Sequence, residues 1–343
     1  ATGSADHGVA AFSALDVDEQ KLTCSNLRWL VDPVARTFFA DSVYAKKIKV
    51  RPTQITLNPQ HGDWALVVEG HDMWVMRYNT VNYQNTSLVA VKGKVPITDT
   101  GTLRPLCIDW EHSGTRVVVA TAPSELDING HAVPTRAAPS TQMLLVDIAP
   151  SQYPKTKCTI QLETPHTDAI RQICVHRCGA LNTPLLAYSG GSDGRIVRWH
   201  LDDRRAPHVY DATHRGGVRA LAVTPLTPRL FTCGVDMGMN VIDLESDRLL
   251  STRLLPNGLV RSMVSSPATP NVLAATTASG SDTDRLKLLD WRTRATVILD
   301  IAMPTRSFAA PAHLSTLSWH AEGYVIACSS GGDGGGGGGA AGA

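Results

Sequence analysis

The 343-residue sequence lacks the signatures on which most catalytic assignments rest. It has no phosphate-binding loop, no paired metal-ligand helix and no dinucleotide fingerprint. "SGGSDG" (189–194) and the glycines at 334–339 match phosphate-cradling loops in composition alone, since neither precedes a helical segment. The chain is therefore expected not to be an enzyme, and no cofactor is expected. Charge imbalance is missing too: 32 basic residues face 31 acidic ones, a formal charge of +1. No global field then points to nucleic acid or to a membrane surface, and charge-driven binding needs a local patch. No apolar run approaches the roughly 18 residues of a membrane span. The opening "ATGSADHGVAAFSALDVDEQK" has neither the basic region nor the apolar core of a secretory leader. A soluble intracellular protein, cytoplasmic or nuclear, is the expectation.

Cysteine is sparse. The seven residues (24, 107, 158, 174, 178, 233 and 328) are odd in number and scattered, which argues for free thiols in a reducing compartment. Cys174, His176 and Cys178 could share one strand face. Structural zinc sites usually hold paired ligands across a turn, so buried structural cysteine is the simpler reading and no metal is expected. Long helical periodicity is also nearly absent. Alternating apolar residues and abundant Val and Thr point instead to an all-β chain.

What is present is repetition. Residues 166–203, "HTDAIRQICVHRCGALNTPLLAYSGGSDGRIVRWHLDD", read as strand, loop, strand, an Asp-Gly turn and a further strand. Residues 214–245 keep the same order of parts. In the first unit His166, Ser189, Asp193 and Trp199 stand at fixed spacing: the serine four residues before the aspartate, the tryptophan six after it. In the second, His214, Thr232 and Asp236 repeat the pattern, with Ile242 in the tryptophan place.

These residues resemble the WD-repeat family of β-propellers. The resemblance implies a buried hydrogen-bonded network in which imidazole and hydroxyl supply donors to a buried carboxylate. The histidines are then structural, not catalytic. Weaker copies give seven units, starting near residues 26, 53, 105, 166, 214, 257 and 313, with His313, Ser329 and Asp333 read in register in the last. Family repeats run ~40–45 residues. The expected fold is all-β, a seven-bladed β-propeller over residues 22–334 with its last blade incomplete. A flexible arm (1–21) would precede it and a Gly/Ala-rich tail (335–343) would follow. Residues 123–141 read as a polar, Pro-containing insertion, a further candidate contact.

The resemblance also implies a partner surface at one mouth of the channel. Five residues on from His166 and His214 lie Arg171 and Arg219, and the matching place in "LVRSMV" is Arg261. Three neighbouring guanidinium groups would repel unless an anion or acidic side chains join them. The expected partners are other proteins, through acidic or phosphorylated segments; nucleic acid is an alternative that the net charge does not favour, and no membrane partner is expected. The expected function is a non-catalytic scaffold in a larger multiprotein or ribonucleoprotein assembly. "LLDWRTR" (288–294) suggests an alternative. Some WD-repeat proteins use Trp-Asp-x-Arg to dock a cullin–RING ubiquitin-ligase adaptor, and Asp290 and Arg292 fit, although Leu289 replaces the tryptophan. That would make the chain a substrate receptor; Asp-x-Arg equally serves as a local strand-end pair. A third role, RNA binding, rests on Lys46, Lys47, Lys49 and Arg51, which lack an aromatic stacking platform and read more simply as a protected strand edge.

The six consecutive glycines from 334 to 339 cannot continue a strand. The last unit therefore needs strands from elsewhere: from a longer protein, from a crossover of residues 22–31, or from a partner subunit.

Overall fold

The computed structural model describes residues 9–13, 17–18, 21–22, 52–60, 64–69, 72–77, 93–95, 103–126, 132–134, 142–148, 156–176, 185–202, 205–210, 214–225, 227–255, 258–266, 271–278, 285–293, 296–302, 313–319 and 324–330. Among the described residues the regular structure is β, with a single 3-10 turn at Trp291–Thr293 and no α-helix. No helix there is long and apolar enough to cross a membrane.

The N-terminal part supplies β1 (Val9–Ser13) and a two-stranded ribbon of β2 (Val17–Asp18) and β3 (Lys21–Leu22). A first sheet follows: β4 (Pro52–Leu57), β5 (Trp64–Glu69), β6 (Asp72–Arg77) and β7 (Gly93–Val95). The second contains β8 (Leu103–Trp110), β9 (Arg116–Leu126), β10 (Ala132–Pro134), β11 (Gln142–Ile148) and β12 (Thr156–Glu163). The third is β13 (Ile170–Val175), β14 (Leu186–Gly191), β15 (Ile196–His200) and β16 (His208–Tyr210). The fourth is β17 (Val218–Val223), β18 (Arg229–Gly234), β19 (Gly238–Asp243) and β20 (Arg248–Leu254). The fifth is β21 (Leu259–Ser265), β22 (Val272–Ala278), β23 (Arg285–Asp290) and β24 (Thr296–Ala302). The sixth joins β25 (His313–Trp319) and β26 (Tyr324–Ser330) to β1. All pairings are antiparallel, and the first, third, fourth and fifth sheets are meanders in chain order.

The first strands of successive sheets lie side by side: β4 on β8, β8 on β13, β13 on β17, β17 on β21, β21 on β25, and β25 on β4 again. Facing sheets share their apolar layers. Val118, Ala120, Met143 and Leu145 of the second sheet pack with Ile173, Val175, Val197 and Trp199 of the third. Tyr188, Ile196 and Tyr210 of the third pack with Leu221, Leu230 and Ile242 of the fourth. Phe231 and Val241 of the fourth meet Met263, Leu273 and Leu289 of the fifth. Strands buried on both faces read as near-continuous apolar runs, which explains "MLLV" and "VLAA". Polar seams add to this. Gln54 exchanges two hydrogen bonds with the Ile108 backbone (2.8 and 2.9 Å), and the Asp109 carboxylate accepts from Trp110 N (2.9 Å) and Val175 N (2.8 Å), tying the second sheet to the third.

Two expectations change. The N-terminal arm is not wholly free, because Val9–Ser13 pairs along β26 from Val9↔Cys328 to Ser13↔Tyr324. The last sheet is thus extended by residues 9–13, which take the place directly beside β26, while residues 23–31 of the expected crossover lie outside the described residues. An apolar edge strand leaves unpaired backbone groups, and "VAAFS" satisfies them. The 123–141 insertion is likewise partly regular: β9 runs on to Leu126 and pairs with β10, Leu126↔Ala132 to Ser124↔Pro134. The unit expected near residue 26, with Lys46, Lys47, Lys49 and Arg51, and the tail 335–343 lie outside the described residues.

Candidate functional site

The third sheet holds a complete relay. The Trp199 indole N–H donates to Ser189 Oγ at 2.8 Å, and Ser189 Oγ lies 2.8 Å from His166 Nε2. His166 Nδ1 lies 3.1 Å from Asp193 Oδ1. One tautomer satisfies every atom: Nδ1–H donates to the carboxylate and Nε2 accepts the serine hydroxyl. Asp193 also accepts from the Thr167 and Arg195 backbone N–H groups, at 2.9 and 3.1 Å. Burial pushes the His166 pKa below its ordinary value and outweighs the opposing pull of Asp193. For Asp193, burial works against ionisation, but Thr167 N–H, the His166 ring and Arg195 N–H together hold the carboxyl below its ordinary value. The contact is a hydrogen bond between a carboxylate and a neutral imidazole. It joins the loop before β13 to the turn after β14.

The fourth sheet repeats it with one part changed. His214 Nδ1 lies 3.0 Å from Asp236 Oδ1 and Nε2 lies 2.7 Å from Thr232 Oγ1. Ile242, opposite Leu230, occupies the level that Trp199 takes opposite Ala187. It replaces the indole by apolar packing.

A residue that spacing alone did not single out is the glycine between hydroxyl and aspartate. A Cβ on Gly191 would come within 2.5 Å of His166 Nδ1 and 2.3 Å of Asp193 Oδ1; one on Gly234 would come within 2.5 Å of the His214 ring. The pattern is therefore Ser/Thr-x-Gly-x-Asp, and the repeated glycine was its visible signal. The fifth sheet shows the converse: at the matching ladder levels, Ala275 stands in the hydroxyl place and Thr277 in the glycine place.

The last hairpin corrects a reading. Ser329 pairs with Leu314 across a ladder bulged just beyond it, so it is level with Gly191, and Ala327 is level with Ser189. His313 begins the strand itself instead of lying in the loop before it. The spacing match of His313 with Ser329 was out of register because identities were matched along the chain, whereas the ladder sets Ser329 opposite Leu314, the residue directly after His313. Asp333 lies outside the described residues.

The three arginines share a backbone feature. Each ladder between the first and second strands of a sheet skips one residue on the first strand, and in the third, fourth and fifth sheets that residue is Arg171, Arg219 or Arg261. The corresponding residues are Thr53, Leu106 and Ser315 in the first, second and sixth sheets. Bulges leave the extra residue out of the ladder and re-aim its side chain. One half of the circuit thus carries arginine at every bulge and the other half carries none. Arg171 and Arg219 are exposed, Arg261 is half-buried, and Arg171 Nε donates to Ser192 Oγ at 2.6 Å.

Gly190–Gly194 spells Gly-x-Ser-x-Gly, the lettering of a nucleophile elbow. Here it turns from β14 into β15, not into a helix, and the nearby His166 already serves Ser189 and Asp193. Asp290 and Arg292 face each other, with Arg292 Nη2 donating to Asp290 Oδ2 at 2.9 Å and Arg292 N to Oδ1 at 2.9 Å. Arg292 and its own backbone are the main reason the Asp290 carboxyl stays below its ordinary pKa. Cys174 and His176 are half-buried and Cys178 lies outside the described residues; among the described residues no group of three His, Cys, Asp or Glu side chains is placed to hold a metal ion.

No family model and no curated protein matches the chain. What remains is geometry: two buried relays that lock turns to strands, beside an arc of three bulge arginines.

Proposed function

We propose that this chain is a β-propeller of the WD-repeat type that acts as a non-catalytic scaffold, binding acidic or phosphorylated segments of other proteins across the arginine arc. The carrying observation is that Arg171, Arg219 and Arg261 occupy the same bulge on three adjacent first strands. A rigid frame with side chains re-aimed at one rim suits recognition, because loop and rim residues can vary without disturbing the ladders. The contact of β25 with β4 favours a ring of six sheets. A seventh blade would have to come from residues 26–51 and enter between those two strands. The ubiquitin-ligase adaptor reading has less support, since Asp290 and Arg292 satisfy each other.

The test is affinity capture with quantitative mass spectrometry on wild type and on Arg171→Ala/Arg219→Ala. Scaffold partners should be depleted from the variant, and more strongly at low salt. Unchanged recovery sinks the proposal.

A further inference from the structure

The turn after the relay aspartate needs a left-handed residue. In the third sheet Gly194 fills it, at φ 79°. In the fourth, the same position after Asp236 is Met237, at φ 57°. A side chain there is disfavoured by contact between Cβ and the carbonyl, which is why glycine is usual. The only other left-handed non-glycine among the described residues is Asp247, a residue type that tolerates the conformation. Met237 is moreover 51 % exposed, so it gains little from burial. A strained backbone that presents an apolar side chain to solvent costs stability with no return inside the fold.

Met237 is not alone. Leu254, 77 % exposed, ends β20 directly opposite Gly238, and Met237 O accepts from Leu255 N at 3.0 Å. Val235, also exposed, donates its N–H to Gly217 O at 3.0 Å and so adjoins the loop before β17. That loop and strand carry Arg215 and Arg219, both exposed. The nearby carboxylate, Asp236, is occupied by His214, Arg215 N and Gly238 N. The result is an apolar knob bordered by cations.

We infer that Val235, Met237 and Leu254 form an apolar anchor patch for an extended protein segment that presents one apolar side chain flanked by aspartate or glutamate. The apolar residue seats on the three side chains, and its carboxylate neighbours meet Arg215 and Arg219. Charge complementarity selects this occupant. A second copy of the chain would have to bring carboxylates to the same patch, and a bare apolar segment would leave the two arginines uncompensated. The inference rests on the scaffold reading above and names the chemistry of its partner.

The experiment pans a displayed library of random peptides on the full chain, then measures binding of synthetic copies of the enriched sequences. Enriched peptides should carry an aliphatic or aromatic residue between acidic ones. They should bind Met237→Gly and Leu254→Ser about tenfold more weakly than wild type, while the melting temperature of Met237→Gly is equal to or above that of wild type. Basic or uncharged enriched sequences, no enrichment at all, equal affinity for Met237→Gly, or binding only by phosphorylated versions would each overturn it. So would a wild-type dimer that Leu254→Ser makes monomeric. Peptides that need Arg171 and Arg261 but ignore Met237 and Leu254 would leave the arginine arc standing and remove the anchor. Peptides indifferent to both sets would remove both.

Discussion

At the scale of single residues, the relay of the third sheet works because every atom has one role. Trp199 only donates, Ser189 accepts once and donates once, and His166 accepts at Nε2 and donates at Nδ1. Protonating His166 puts a hydrogen on Nε2 against the serine hydroxyl and breaks that order. The linkage has a definite sign. The folded pKa of His166 lies below its ordinary 6.5, so the unfolded chain binds the extra proton first. Stability is full above about pH 6.5 and falls as the pH drops from there toward the folded value. The loss is about 1.4 kcal/mol for each pH unit separating the two values. Asp193, also depressed, acts in a lower window: its contribution holds above about pH 4 and is lost below it. Urea unfolding across the range from about pH 7.5 to 5 should therefore give a steeper decline for wild type than for His166→Asn, which keeps a donor toward Asp193 but cannot titrate. Parallel declines would show that the relay does not carry the pH dependence.

Individual strands show what could be read in advance and what could not. The third and fourth sheets were legible, because their hydroxyl–aspartate spacing reports a short connection between the second and third strands and their alternation reports burial. The arginine position was legible as a count from His166 and His214, but not its cause, since a bulge is a property of two strands and the sequence shows one at a time. The sixth sheet misled for the same reason. His313 and Ser329 have plausible identities, but pairing register is decided by hairpin length and by which face is buried. The role of Val9–Ser13 was invisible, as its partner lies more than 300 residues away. That partnership predicts its own consequence. Removing residues 1–15 bares the outer edge of β26 from Tyr324 to Cys328, whose backbone groups on that side then face water or another molecule, while the β25 side stays paired. The melting temperature should fall by about 5 °C or more, with concentration-dependent association visible by light scattering. A truncated chain as stable and as monomeric as the full one would mean that β1 adds nothing to the sheet.

For the molecule as a whole, the arrangement of first strands decides how it unfolds. In an open stack, each sheet contacts its neighbours alone and the ends can fray separately. When β25 also lies on β4, each sheet whose first strand is described is flanked on both sides, and among the described residues no open end of the stack is left from which unfolding can start. Ser189→Ala tests this. It leaves the Trp199 indole N–H without its acceptor and His166 Nε2 without its donor, both inside the core. The cost should be about 2–3 kcal/mol. In a closed ring that loss belongs to the entire fold, so it must appear at sites far from the third sheet. Trp110 is buried in the second sheet and Trp291 packs on Phe231 beside the fifth, and each can serve as a local fluorescent probe once the other tryptophans except Trp199, which the relay needs, are replaced by phenylalanine. Both probes, and far-ultraviolet circular dichroism, should shift to lower urea by the same amount in Ser189→Ala. A shift confined to Trp110, with Trp291 unmoved, would mean that the fifth sheet unfolds on its own and that contact between β25 and β4 does not make the ring one cooperative unit.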